Sequence, residues 1–244
     1  MGALDFFSKQ NKLKRLGKRL TEKFGPPENR QKAIETLVDL GTPEALSTLL
    51  LRFTIVSDSR ITDADEKERV VQHLIDAGED ALGPLKDFLR QKVQVAWPLK
   101  VLSELLPADE VLALVLAELT RLGQEYARDP EKRVQLIGWL LEHHPEADAR
   151  IAPALIPFLS DMSDDVKLAT VRGLTQHLGD GAREPLLLAL VDPEQSARVR
   201  AELLGAAAQL GLAVQDHRAR VEAVVAEIGN GQYFVDKAGV VRKR

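Results

Sequence analysis

Cysteine is absent from this chain of 244 residues, and aromatic residues make up only 5% of it. The lack of cysteine excludes disulfides, thiolate zinc sites and thiol nucleophiles. A reducing compartment suits such a chain best, so we expect a cytoplasmic protein. Because strands favour aromatic and branched residues, a sequence rich in Leu, Ala, Glu and Arg but poor in aromatics favours helices.

Long apolar runs are missing as well. No segment approaches the roughly 18 uncharged apolar residues of a membrane span, and residues 1–24 do not have the pattern of a secretory signal. The sequence also has no phosphate loop, nucleophile elbow or paired-acid motif. His143 and His144 are adjacent and point about 100° apart on a helix, which does not suit a metal pair. We therefore predict no catalytic residue, no metal and no cofactor.

Charge is distributed unevenly along the chain, although the net charge is only −4. Residues 1–24 carry seven basic side chains against two acidic ones, and residues 229–244 carry four against one. The middle of the chain is strongly acidic. Because nucleic-acid binding depends heavily on neutralising phosphates, this acidic middle argues against a nucleic-acid partner.

A helical pattern recurs six times along the chain. Each unit has a position x followed by apolar or small residues at x+3, x+4, x+7 and x+8, which is the inward stripe of an amphipathic helix. The successive x positions are Arg30, Lys67, Pro98, Arg133, Lys167 and Arg200, separated by 37, 31, 35, 34 and 33 residues.

A second apolar helix follows each of these first helices. Glycines at 41, 78, 179 and 211 stop the first helix, where we expect a left-handed cap residue. The second helices are predicted at 42–54, 80–91, 108–122, 147–160, 181–191 and 217–228. Hairpins that recur without strands must stack to bury their apolar faces. The fold class predicted is therefore all-α, an α-α superhelix of about six helical hairpins with a small C-terminal β-hairpin.

The repeats resemble the HEAT-repeat family, especially the short bacterial type of phycobilisome lyase-like proteins. The likeness rests on Asp129-Pro130-Glu131-Lys132-Arg133, on Asp165-Val166-Lys167, on Arg198-Val199-Arg200, and on the glycine-containing breaks. It covers residues 26–228, and the third unit departs from it, with Pro98 in place of Arg. The resemblance implies a solenoid whose members serve as scaffolds, adaptors, lyase subunits and occasionally DNA-repair enzymes.

The basic residue that stands at x in five of the six repeats shares a face with the apolar stripe. We therefore expect it to pair with acidic groups inside the stack. Positions x+2, x+5, x+6 and x+9 point outward, and the family's geometry places them on the concave side. The predicted partner-binding groove consists of Lys32, Arg69, Lys100, Trp139 and Arg172. Trp139 is either an exposed hot spot there or packed against a neighbour.

The two ends of the chain differ from the repeats. Residues 1–25 are predicted to form a basic amphipathic helix with Leu13, Leu16, Leu20 and Phe24 on one side. Its basic face consists of Lys12, Lys14, Arg15, Lys18 and Arg19, and the helix either caps the first repeat or binds an acidic or membrane surface. Residues 57–66 are predicted to be an exposed loop. Residues 229–244 are predicted to form a hairpin, which buries Phe234 against the last helix, and a solvated basic tail.

These patterns predict a non-catalytic protein-interaction scaffold or adaptor that binds another protein on the concave face of the solenoid. Two enzyme alternatives stay open, a HEAT-like DNA-repair glycosylase and a phycobilin lyase-type enzyme. Salt-sensitive duplex binding is the property that separates the DNA enzyme from a scaffold.

Overall fold

The computed structural model describes residues 3–125 and 129–244, so residues 1 and 2 of the predicted N-terminal segment lie outside the described residues. Within these ranges the chain forms thirteen α-helices and one two-stranded antiparallel sheet. The residues group into two compact units, Met1–Leu114 and Val115–Arg244. In the described ranges, no helix is long and apolar enough to cross a membrane. The all-α class predicted from the sequence is confirmed.

The N-terminal unit is built from helical hairpins with an additional helix in front. Its helices are α1 (Ala3–Leu20), α2 (Pro27–Leu40), α3 (Pro43–Leu49), α4 (Arg60–Asp76), α5 (Glu79–Gln91), α6 (Ala96–Leu105) and the start of α7 (Ala108–Gly123). A 3-10 helix, Leu50–Thr54, continues α3. The first helices α2, α4 and α6 pack side by side, and α3 packs on α5 in a second layer. Fully buried leucines such as Leu37, Leu74 and Leu102 lie between the layers.

The C-terminal unit repeats this arrangement. Its helices are α8 (Glu131–His143), α9 (Ile151–Leu155), α10 (Asp164–Gln176), α11 (Arg183–Leu190), α12 (Ala197–Gln209) and α13 (Arg218–Ile228). Here α10 packs between α8 and α12, as a central helix of a stack does. The predicted helix at 147–160 is shorter than expected and continues as a 3-10 helix, Ile156–Ser160, where Pro157 lacks an amide N–H.

Glycine and serine residues that are recognisable in the sequence as helix caps set several helix boundaries. Gly41 adopts φ 58° after α2, and its N–H donates to the Leu37 carbonyl, as a left-handed cap requires. Gly179 has φ −97°, so the left-handed cap predicted there is wrong. The Ser59 hydroxyl accepts a hydrogen bond from the Thr62 N–H, so α4 begins at Arg60. The exposed loop predicted at 57–66 is therefore wrong for most of its length.

At the N-terminus, α1 packs on α2 and α3 with Leu16 and Leu20 buried. The helix ends at Leu20, one turn earlier than predicted. Phe24 therefore lies beyond it and is 79% exposed, which corrects its placement on the apolar side of the helix.

The C-terminal hairpin consists of β1 (Tyr233–Val235) and β2 (Val241–Lys243). Val241 is fully buried, and its N–H donates to the Leu212 carbonyl at 3.3 Å. Phe234 pairs with Arg242 on the opposite side of the ribbon and is 38% exposed, so its predicted burial is wrong. Because residues alternate across a strand, burying Val241 turns Phe234 outward. The basic residues 242–244 are exposed, but Arg242 and Lys243 belong to β2.

Candidate functional site

The basic residues at position x form a ladder of ion pairs and hydrogen bonds between successive elements. Arg30 of α2 donates to Glu66 of α4 at 2.8 Å, and Arg133 lies 3.1 Å from Asp161. Lys167 donates to Gln195 at 2.8 Å, and Arg200 donates to Glu227 at 2.8 Å. These residues thus contact polar groups of a following element, as their helical face predicts, and the last of these partners, Glu227, is exposed.

The most deeply buried part of the ladder is a charged cluster in the N-terminal unit. Arg52 is fully buried and donates to both Glu66, at 2.8 Å, and Asp63, at 2.6 Å. Lys67 lies 2.7 Å from the second oxygen of Asp63. Burial acts to raise the pKa of Asp63, but hydrogen bonds from Lys67, the Ser57 amide and Arg52 outweigh it and hold that pKa at about 2. Such mutual pairing indicates a structural role.

A smaller cluster occupies the start of the C-terminal unit. Glu118 of α7 accepts hydrogen bonds from Lys132 and Arg121, and it is buried. Burial acts to raise the pKa of Glu118, but the hydrogen bonds and charges of Arg121 and Lys132 outweigh it, so the pKa of Glu118 lies below its ordinary value. This carboxylate is therefore held as the partner of two cations, which does not suit a general acid.

A cleft of about 970 Å³ lies in the C-terminal unit, along α10 and α12. Several of its lining residues stand at the outward repeat positions x+2, x+5, x+6 and x+9 of the last two repeats. They are Arg172, Gln176, Glu202, Gly205, Ala206 and Gln209. Tyr233 and Lys243 of the hairpin also line it. This cleft is the candidate functional site.

Small residues and polar side chains alternate along the cleft. Ala201, Gly205 and Ala208 leave the backbone of α12 accessible, and a Cβ placed on Gly205 would lie 3.6 Å from the Tyr233 hydroxyl. The Gln176 amide N–H donates to the His144 carbonyl at 2.8 Å. On the wall of the cleft, Arg172 donates to Glu202 at 2.8 Å, and the Arg172 side chain is 59% exposed.

The five residues predicted for the binding groove lie in different places. Lys32 and Arg69 line a separate cleft of about 370 Å³ in the N-terminal unit. Lys100 is exposed, lies 2.6 Å from Glu68, and is 5.6 Å from the Trp97 ring centroid. Arg172 lines the large cleft. The predicted partner-binding role of these residues stays a prediction.

Of the two alternatives for Trp139, the structure shows packing against neighbours, so its exposed placement in the predicted groove is wrong. It is only 8% exposed, and its ring stacks on His143 with centroids 4.8 Å apart. His177, which caps the end of α10, is buried and accepts a hydrogen bond from the Asp148 N–H at 3.3 Å. Burial lowers the pKa of His177, Asp148 opposes this, and His144 adds to it. The histidines of this region thus belong to packing and helix ends.

Reasoning from the sequence missed Tyr233 and Lys243, because they lie outside the repeats. It had assigned the x+5, x+6 and x+9 positions to the outward face but singled out only Arg172 among those that line the cleft. In the part of the chain that the structure describes, no group of three or more His, Cys, Asp or Glu side chains is arranged to hold a metal ion. Lys12, Lys14, Arg15, Lys18 and Arg19 of α1 are all exposed.

Comparisons with known proteins do not assign this chain to a family. No family model matches the chain, and no curated protein matches it. Among solved structures, human deoxyhypusine hydroxylase in complex with glycerol aligns over 94% of this chain and 93% of its own, with 18% identity and a TM-score of 0.35. A likeness of this size carries no inference about function.

Proposed function

We propose that this chain is a non-catalytic, HEAT-like interaction protein that holds an extended segment of a partner protein in the cleft along α10 and α12. The observation that carries the proposal is the lining of this cleft. Small residues of α12 let another backbone approach closely, while amide and hydroxyl groups stand beside it. We place the interaction in the cytoplasm, because the chain has no cysteine.

The chemistry of the lining suits a peptide main chain. A glutamine amide offers one acceptor oxygen and two donor hydrogens, which match the N–H and C=O groups of an extended segment. Gln209 is exposed at the cleft, and Gln176 directs its amide nitrogen to the Leu141 and His144 carbonyls, so its oxygen stays available for a partner. The exposed Arg172–Glu202 pair can exchange partners with side chains of either charge.

The DNA-repair and phycobilin lyase alternatives find less support in this cleft. Arg172 already pairs with Glu202, and a carboxylate in the wall repels a phosphate backbone. We expect duplex binding to be weak at physiological salt. Tight, salt-sensitive binding with turnover of a damaged duplex would favour the enzyme instead.

Site-specific photocrosslinking in the source cell tests the proposal. A photoreactive amino acid at Ala201, which is exposed in the cleft, should capture one defined partner. The matched control places the same residue at Ala223, which is exposed on α13 and does not line the cleft. Equal capture at both positions, or none at Ala201, would contradict a cleft-bound partner.

A second variant asks whether the cleft itself is needed. Gly205→Gln places a side chain in the cleft beside Tyr233, so capture at Ala201 should fall at least tenfold. The control is Gly138→Gln on α8, where a new Cβ meets no atom within 4 Å. Both variants should keep the helical circular dichroism of the parent chain.

A further inference from the structure

Three large apolar side chains are exposed at one place in the N-terminal unit. Phe24 and Ile61 are each 79% exposed, and Val56 is 56% exposed. Phe24 and Val56 lie in the loops before α2 and α4, which a backbone hydrogen bond joins from the Asp58 N–H to the Lys23 carbonyl at 3.4 Å. Ile61 lies in the first turn of α4. Each lies within three residues of that bond, and therefore within about 11 Å of it along the chain. A grouping of this kind, unlike a single exposed apolar residue, indicates a contact surface.

The buried charged cluster holds Val56 outward. Arg52 donates to the Ile55 carbonyl at 3.3 Å on one side of Val56, and the Ser57 N–H donates to Asp63 at 2.7 Å on the other. Both anchors are buried, so the loop is fixed at the residues that flank the exposed side chain. The apolar group is thus presented on a supported loop.

Exposed basic side chains precede and flank this apolar group in the chain. The helix α1 buries Leu16 and Leu20 and exposes Lys12, Lys14, Arg15, Lys18 and Arg19. Lys23 lies over the Phe24 ring at 5.4 Å from its centroid, and Arg60 is exposed beside Ile61. Within the described ranges, no acidic side chain pairs with any of these cations. The exposed acidic residues near them in the chain are Glu22, Glu28, Asp58 and Asp65, fewer than the seven exposed cations, so positive charge prevails.

We propose that this surface, formed by the five basic residues of α1 with Phe24, Val56 and Ile61, binds the face of an anionic lipid bilayer. Basic side chains are attracted to acidic headgroups, and apolar side chains beside them enter the boundary of the hydrocarbon. A phosphate backbone or an acidic protein satisfies the charges but leaves the apolar group exposed. The lipid surface satisfies both.

Vesicle sedimentation with the full chain is the first test. The protein should bind vesicles of phosphatidylcholine mixed with phosphatidylserine at least tenfold more tightly than phosphatidylcholine alone, and added salt should weaken the binding. The double variant Lys14→Glu with Lys18→Glu should lose at least tenfold. The control, Lys86→Glu with Lys237→Glu, makes the same charge change at exposed positions elsewhere and should bind as the parent does.

The apolar contribution separates a lipid surface from other anions. Phe24→Ser with Ile61→Ser should weaken vesicle binding about tenfold, whereas Met162→Ser with Leu188→Ser, at exposed apolar positions of the other unit, should not. Duplex DNA and polyglutamate serve as competing anions. Equal affinity for these polymers, or vesicle binding that ignores the Phe24 and Ile61 changes, would overturn the proposal.

Fluorescent labels report insertion directly, because the chain has no cysteine of its own. An environment-sensitive fluorophore on Phe24→Cys or Ile61→Cys should shift to shorter wavelength when anionic vesicles are added. The same label on Met162→Cys, where the side chain is 82% exposed, should not shift. Circular dichroism checks that each variant folds, and no shift at position 24 or 61 in a folded variant counts against the proposal.

Discussion

The first and the last repeat use the basic position x in different ways, and Arg133, between them in the chain, has a buried partner as Arg30 does. In the N-terminal unit, Arg30 and its partner Glu66 are both buried, with 3% and 1% of their side chains exposed. In the C-terminal unit, Arg200 is 14% exposed and its partner Glu227 is 57% exposed. The repeat therefore directs the basic side chain into the stack, but the partner's surroundings decide whether the pair is a core feature or a surface contact.

This difference predicts unequal energetic roles, because a buried carboxylate without its cation is costly while an exposed one is solvated by water. It also separates the tasks of the units. In the N-terminal unit, the buried Arg52 and Asp63 bind the backbone of the loop that carries Val56. In the C-terminal unit, the outward positions of the last two repeats line a cleft.

Arg52→Met should give the largest loss of stability. The change keeps most of the buried volume but leaves Asp63 and Glu66 each with one cation fewer, at a cost of about 3 to 5 kcal/mol. Urea unfolding followed by circular dichroism measures it. The control is Arg200→Met, whose partner remains hydrated, so its unfolding midpoint should stay near that of the parent. Equal losses would remove the distinction between the buried cluster and the last repeat.

Trp139 gives the next largest effect, in the C-terminal unit. Truncation by Trp139→Ala should cost about 3 kcal/mol, because the side chain is buried and stacks on His143. Trp139→Phe should cost roughly 1 kcal/mol or less, since the indole N–H has no hydrogen-bond partner among the described residues. If the alanine variant melts like the parent, Trp139 is a surface residue after all.

Acid should affect the two units in different pH ranges. The pKa of Asp63 is about 2 in the fold against an ordinary 3.8, so its stabilisation is complete above about pH 4 and is lost as the pH falls toward 2. By the difference between these values, that contribution is roughly 2 kcal/mol. The pKa of His177 lies below its ordinary 6.5, so its neutral form stabilises the fold above about that pH, and this is lost as the pH falls.

Hydrogen exchange at a series of pH values measures this order. Amides of α10 should lose protection in mild acid, while those of α4 should hold until about pH 4. His177→Gln should remove the loss of protection in α10 in mild acid. Asp63→Asn should reduce the loss of protection in α4 at low pH. Loss of protection in both helices over a single pH range would show that the units do not respond separately.

Two glycines in the C-terminal unit should give the smallest effects. Gly205→Ala in α12 meets only the Tyr233 hydroxyl, at 3.6 Å, so the gain in helix propensity should stabilise by about 0.5 to 1 kcal/mol. Gly173→Ala in α10 would place its Cβ 2.6 Å from Leu155 Cδ1, so displacement of that side chain should cancel the gain. Thermal melting compares the two variants, and equal stabilisation would show that the Leu155 side chain moves away from Gly173 at no cost in stability.

The sequence by itself determined the helical class, the phase of the repeats and the direction of the basic residue at x. These follow from local periodicity and from residues such as Gly41, whose left-handed backbone ends α2 within its own turn. The hairpin at the C-terminus also followed from two short β-prone runs around a turn.

Only the tertiary structure decided which side chains become buried and which meet. Trp139 lies at an outward repeat position, yet it is covered, and Phe234 turns outward because Val241 takes the inward face of the ribbon. The sequence around Asp63 and Glu66 looks like an exposed polar loop, because their cations Arg52 and Arg30 are 11 and 36 residues away. Partners so distant in the chain are chosen by packing, and local patterns do not carry that information.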